Sequence, residues 1–160
     1  MALVTVSNNS LTAVTAIPAS VPTGALTLIK SITASASASI SFVDGTDGVV
    51  LDDTYQSYVF KFIDVHAQND NVAFEFNLST DSGSNYNVAK TTTYFNSYHT
   101  EADNDAGIQY QSANDLAQGT GFQQIQKEQG NDNDQSVSGT LELFNPSSSV
   151  FVKHFLIRVN

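Results

Sequence analysis

A strict alternation of small polar and apolar residues is the feature that most constrains the fold of this chain. In the segment SITASASASISF, residues 31–42, every even position carries Ala, Ile or Phe and every odd position carries Ser or Thr. Successive side chains of a β-strand point to opposite faces, so the pattern is typical of a half-buried strand, or of two strands joined by a bend. A Ser/Ala linker is the alternative, although a linker has no physical reason to alternate. The segment therefore favours a β-protein.

Further strand signatures follow, separated by runs of Gly, Asn, Asp and Ser. Residues 55–66 are apolar on both faces, as in a covered central strand, whereas residues 71–80 alternate between apolar and polar. Two more segments flank Pro146, which cannot donate to a ladder, and they predict an antiparallel hairpin. The predicted strands are 26–35, 37–43, 55–66, 71–80, 90–98, 135–145 and 150–159.

These strands predict an all-β fold, an antiparallel β-sandwich of jelly-roll type with an extended N-terminal arm. Residues 1–25, interrupted by Pro18 and Pro22, form the predicted arm, and residues 26–160 form a single β-sandwich domain. Residues 100–121 are a long polar segment with one or two helical turns at most, beginning at Ser112 or Asn114. The predicted core comprises Phe60, Phe62, Phe74, Phe76, Leu141, Leu143, Phe151 and Phe155.

Composition excludes several classes of function. The chain carries 16 acidic and 6 basic residues, a net charge of -10 that repels phosphate backbones and argues against nucleic-acid binding. It has no cysteine, its N-terminus lacks the basic region of a signal peptide, and its apolar runs are too short for membrane insertion. No G-x-S-x-G, H-E-x-x-H or P-loop motif occurs, so we predict a protein that is not an enzyme and needs no cofactor.

Acidic stretches raise the question of calcium. In GNDNDQSVSGTLELFNP, residues 130–146, a loop register starting at Asn131 puts Glu142 at position 12 but Ser136 where glycine is required. Starting at Asp132 fails at both positions, so the stretch indicates an Asn/Asp turn before a strand. A second stretch, DGTDGVVLDD, offers Asp44, Asp47, Asp52 and Asp53, and its Asp-Gly pairs are equally typical of turns.

The richest polar cluster is YHTEADND. Alternate spacing puts His99, Glu101 and Asp103 on one face of an extended segment, where they form a weak metal-site candidate beside the alternative of a solvated acidic loop. His66 and His154 lie on or beside predicted strands and are interpreted as packed or edge histidines. Four tyrosines in or near loops are weak candidates for a glycan-binding surface: Tyr86, Tyr94, Tyr98 and Tyr110.

Three segments carry a family resemblance: STDSGSNYNVAKTTTYFNSYHTEAD, NDLAQGTGFQ and GNDNDQSVSGTLELFNPSSSVFVKHF. With LTLIKSITASASASISF, they resemble structural proteins of marine tailed phages, cyanophages among them, over roughly residues 24–160. The resemblance implies a virion component that is assembled in the host cytoplasm and released in the particle. Similar proteins continue past the VKHF strand, so this chain is either a short member or completes a sheet with another subunit.

Three classes of function remain open on the sequence. The first is a virion structural protein, either a tail or fibre module that meets a host glycan or receptor, or a capsid decoration protein. The second is a glycan depolymerase, and the third is a free carbohydrate-binding or calcium-binding module. The first class predicts other virion proteins as partners and a homo-oligomer, in particular a trimer, because bare strand edges and an apolar arm require a neighbour.

Overall fold

The computed structural model describes residues 26–160 and contains seven strands and one short 3₁₀ turn. The strands are β1 (Ser57–Val65), β2 (Val72–Phe76), β3 (Phe95–His99), β4 (Ala106–Tyr110), β5 (Gln123–Gln129), β6 (Val137–Phe144) and β7 (His154–Val159). The 3₁₀ turn is Ser112–Asn114. Every strand pairing is antiparallel, and the predicted all-β antiparallel class is confirmed.

The strands form three sheets. One has three strands in the order β1-β6-β7, and the other two pair β2 with β5 and β3 with β4. The predicted hairpin around Pro146 is confirmed as β6-β7, with Gly139 opposite Val159 and Phe144 opposite His154. The jelly-roll connectivity stays a prediction.

The buried face of the three-stranded sheet follows from its register. Tyr58 lies opposite Leu143, which lies opposite Phe155, so the three side chains share one face. Tyr58, Leu141 and Leu143 are buried, and burying each leucine contributes about 1.5–3 kcal/mol. Polar and apolar residues alternate along β6, VSGTLELF, as a one-sided strand requires.

Aromatic pairs join this face to the β2-β5 sheet. Phe62 of β1 meets Phe74 of β2 edge-to-face at 5.1 Å between ring centroids, and Phe76 of β2 meets Phe155 of β7 at 5.1 Å. Edge-to-face geometry places the positive edge of one ring on the negative face of the other. The two sheets therefore pack face to face through phenylalanines, as in a β-sandwich.

The predicted core is largely in place. Leu141 and Leu143 are buried, and the five phenylalanines of β1, β2 and β7 are half-buried. Phe151 was predicted wrongly, because its side chain is 71% exposed. It lies in the connection before β7 rather than on the strand, so strand periodicity does not decide where it points.

The predicted strands at 26–35 and 37–43 are wrong, since neither range contains a strand. Residues 31–41 are exposed throughout. Serine and alanine side chains bury little apolar area, so alternation by itself does not supply the free energy that ordering a strand costs. The segment corresponds more closely to the linker alternative.

Two strands were missed within and after the polar segment 100–121. Strand β5, QQIQKEQ, buries Ile125 together with Gln123 and Gln129. The Gln129 side-chain amide donates from Nε2 to the Val65 carbonyl at 2.5 Å, and the Gln123 side-chain oxygen accepts from the Thr92 hydroxyl at 2.6 Å. Buried glutamines are tolerated when hydrogen bonded, but they hide a strand from any reading of hydrophobic alternation.

The chain divides between Ser31 and Ile32, and Ile32–Asn160 forms one compact unit. The predicted division into an arm, residues 1–25, and one domain, residues 26–160, stays a prediction. The arm predicted for residues 1–25 lies outside the described residues. Within residues 26–160 there is no helix with the length and hydropathy needed to cross a bilayer.

Candidate interaction surface

The acidic cluster forms the tight connection between β3 and β4. The Thr100 amide donates to the Asp105 carbonyl at 2.9 Å, and the Asp103 amide donates to the Thr100 carbonyl at 3.0 Å. His99 Nε2 lies 3.0 Å from Asp103 Oδ1, so two of the three predicted metal candidates are brought together. Glu101 does not join them, and residues 26–160 contain no group of three or more His, Cys, Asp or Glu placed to hold a metal ion. Ion binding here stays a prediction.

The Asp-Gly stretch is a turn, as its alternative interpretation predicted. Asp44 Oδ1 accepts from the Leu51 amide at 2.8 Å, and Asp52 Oδ1 accepts from the Thr54 amide at 2.8 Å. The bonds from Thr54 hold the pKa of Asp52 below its usual value. Gly45 has φ 75°, in the left-handed region that favours glycine.

The stretch at 130–136 is likewise a turn before β6. The Gln135 amide donates to the Asp132 carbonyl at 3.0 Å, and His66 Nε2 lies 3.0 Å from that same carbonyl oxygen. A shallow depression of about 210 Å³ lies alongside, lined by residues such as Gln126, Glu128 and Ser136. Its volume is below the range of about 300–1,000 Å³ common for small-molecule sites.

The four candidate tyrosines do not share one face. Tyr98 lies opposite Gly107 in the β3-β4 hairpin, whereas Tyr110 lies opposite Phe95, so these two rings project to opposite sides. Tyr86 and Tyr94 are half-buried, and the Tyr86 hydroxyl donates to Ser41 Oγ at 2.8 Å. Burial is the main cause that raises the pKa of Tyr94. Tyr110 is exposed, and its hydroxyl bonds to Asp115, which raises its pKa.

A buried lysine lies beside the end of β2. Lys90 is 5% exposed, and its Nζ donates to Asn77 Oδ1 at 2.5 Å and to the Val88 carbonyl at 2.9 Å. The Asn77 amide in turn donates to the carbonyls of Tyr86 and Thr120. Burial lowers the pKa of Lys90, because neutral oxygens compensate only part of the lost hydration. This network ties the end of β2 to two loops and is structural in character.

One face of the β3-β4 hairpin carries three exposed apolar side chains beside Ser97 and His99. Phe95 lies opposite Tyr110, and Ile108 projects from the same face two residues along β4. Their side chains are 68%, 63% and 79% exposed, respectively. We call these three residues the hairpin face. A two-stranded ribbon is marginal in water by itself, and exposed apolar side chains grouped on one of its faces make a candidate interaction surface.

Strand β4 lies within residues 100–121, which the sequence predicts as a long polar segment. The signal was nevertheless present, because Ala106, Ile108 and Tyr110 alternate with Gly107 and Gln109. The ring of Tyr98 lies over Gly107, where an added Cβ would come within 3.2 Å of the tyrosine oxygen. This packing orders the opposite side of the ribbon and leaves the hairpin face to solvent.

A second uncovered surface is the outer face of the three-stranded sheet. Val59, Glu142 and Leu156 form one cross-strand row, and Lys61, Thr140 and Arg158 form the next. We call these six residues the outer sheet face. Val59 and Leu156 are exposed, as is Phe144 farther along β6. The neighbouring loop adds three exposed apolar side chains, Val150, Phe151 and Val152.

Comparison with family models, with curated proteins and with solved structures gives no match for this chain. Within residues 26–160, the candidate site is exposed apolar surface on strands.

Proposed function

We propose that this chain is a non-enzymatic structural component of a tailed-phage virion, a tail- or fibre-associated module. It assembles as a homo-oligomer, with three copies as the expected state, and contacts other virion proteins or a host surface glycan or receptor. The observation that carries the proposal is the amount of large apolar surface on ordered strands, above all the hairpin face with Phe95, Ile108 and Tyr110.

Assembly explains this surface in physical terms. Isolated exposed apolar residues are ordinary, but three on one face of a two-stranded ribbon expose contiguous area whose burial is favourable. Residues 150–152 repeat the feature in a loop where Ser148 Oγ accepts from the amides of Val150 and Phe151, at 3.2 and 3.1 Å. The resemblance to phage structural proteins suggests that neighbouring proteins of a virion cover these surfaces.

Particles purified from a phage that encodes this chain provide the test. We expect mass spectrometry of the particles to detect the protein in stoichiometric amounts, and an antibody label in negative stain to mark the tail or its fibres. Labelling of the capsid shell would replace the tail assignment by capsid decoration. Absence from purified particles, or release of reducing sugar from host polysaccharide by the pure protein, would contradict a structural role.

A further inference from the structure

The hairpin face lies next to a strongly acidic connection. Glu101, Asp103 and Asp105 lie in or at the end of the β3-β4 turn and are exposed. No lysine or arginine occurs between residues 91 and 126. The hairpin therefore presents an apolar face that ends in concentrated negative charge.

The outer sheet face has the opposite character. Lys61 and Arg158 occupy the same cross-strand row, so two of the six basic residues of the chain lie on one small surface. Both are exposed, and Glu142 in the neighbouring row is half-buried. Exposed Val59 and Leu156 flank Glu142 in that row and supply apolar contact area.

We propose that the hairpin face of one copy packs on the outer sheet face of a second copy, with the acidic turn beside Lys61 and Arg158. Charge selects this contact. A chain of net charge -10 repels itself in most orientations, and pairing its acidic turn with its basic row makes one orientation attractive. The inference rests on the proposed assembly function and specifies the surfaces that carry it.

The dimensions of the two surfaces agree. Three strands make a face about 10 Å wide before side chains are added, and a two-stranded ribbon about 5 Å wide fits on it. Fully buried aromatic side chains cover about 150–250 Å² each, so the exposed parts of Phe95 and Tyr110 offer roughly 200–300 Å² together. Ile108, the turn and residues around Leu156 bring the contact toward the size of a weak specific interface.

The contact joins two different surfaces and is therefore heterologous. Repetition of such a contact closes a ring when the rotation between copies allows it, and three copies are the ring that the sequence predicts. Each copy in the ring would use both surfaces once. No copy would be left with a bare hairpin face.

Disulfide trapping tests the pairing directly, because the chain contains no cysteine. Full-length Ile108→Cys and Leu156→Cys proteins are mixed and mildly oxidised. We expect a covalent dimer in the mixture and little in either protein alone. Ser84→Cys, an exposed position in a separate turn, is the matched control and should not couple to Leu156→Cys.

Two outcomes would overturn the proposal. Dimers of Ile108→Cys alone would mean that the hairpin face pairs with itself in a symmetric contact. A monomeric Leu156→Cys protein that resists thiol alkylation would mean that another part of its own chain covers the outer sheet face.

Charge reversal gives a readout that does not depend on cysteine chemistry. We expect Lys61→Glu with Arg158→Glu to weaken self-association about tenfold or more, since both substitutions would place like charges beside the acidic turn. Adding Glu101→Lys and Asp103→Lys should restore much of the association, and failure of this rescue would contradict the contact. A protein found in particles but showing neither crosslink nor rescue would refute this contact alone, whereas crosslinks without incorporation would refute the virion role alone.

Discussion

The energetic coupling between Phe62 and Phe74 tests whether the β1-β6-β7 sheet packs against the β2-β5 sheet through this edge-to-face pair. Replacing either ring by leucine keeps an apolar side chain and removes the ring contact at 5.1 Å. Such a pair contributes about 0.5–1.5 kcal/mol beyond burial, so the double mutant should lose that much less stability than the two single changes combined. Truncation by Phe74→Ala should cost about 2–4 kcal/mol, below full burial, because the side chain is only half-buried.

Urea unfolding followed by circular dichroism provides the free energies, at one protein concentration because association shifts apparent stability. Phe144 lies on the opposite face of the sheet and distant along β6, so Phe62→Leu with Phe144→Leu should be additive. A coupling free energy near zero between Phe62 and Phe74 would mean that the two sheets do not pack through this layer.

Three further predictions concern single residues. Gly139→Ala should destabilise the protein by about 1–3 kcal/mol in urea unfolding, because the added Cβ would lie 2.2 Å from the Arg158 carbonyl oxygen. Gly121→Ala is the control and should be nearly neutral, because the space around its added Cβ is open. Equal effects of the two substitutions would refute the argument. The lowered pKa of Lys90 predicts that unfolding free energy rises as pH increases toward 10.5, since the unfolded chain then binds the extra proton. Lys90→Met should flatten that rise, measured up to pH 9 because tyrosines with an ordinary pKa of about 10 are still mostly protonated there, and an unchanged slope would refute it. The Asp81 carboxylate accepts hydrogen bonds from Asn85 and Ser79, so NMR titration should give it a pKa of about 2. Its contribution to folding stability should be present above pH 3.8 and lost as pH falls through 2. A measured pKa of 3.8 would refute these hydrogen bonds.

Segments with bulky alternating side chains were predictable from the sequence. Strands β1, β2, β6 and β7 each lie within a predicted range. Phenylalanine, leucine and valine at every second position can all be buried together only on one face of a β-strand. The predicted strand at 90–98 includes most of β3 but starts several residues early. There Lys90 makes only an isolated bridge to Gly119, which sequence periodicity does not distinguish from a full ladder.

The wrong predictions have two physical causes. Some buried residues are polar, and some alternating residues are not buried. Strand β5 is held by buried Gln123 and Gln129, whose value depends on hydrogen-bond partners far away in sequence. Residues 31–41 alternate but remain exposed. The candidate tyrosines could be named from the sequence, but whether Tyr98 and Tyr110 share a face depends on the hairpin register, which only the structure provides.

Sedimentation equilibrium of the full-length protein tests most directly the claim that its apolar surfaces exist for assembly. We expect a mass three times the 17.2 kDa of one chain, and a shift toward the single-chain mass in Ile108→Asp with an unchanged circular-dichroism spectrum. Asp at position 108 would place a charge at the centre of the hairpin face, where burial without a partner is unfavourable. A mass of 17.2 kDa for the unmodified protein at every concentration tested would contradict the account.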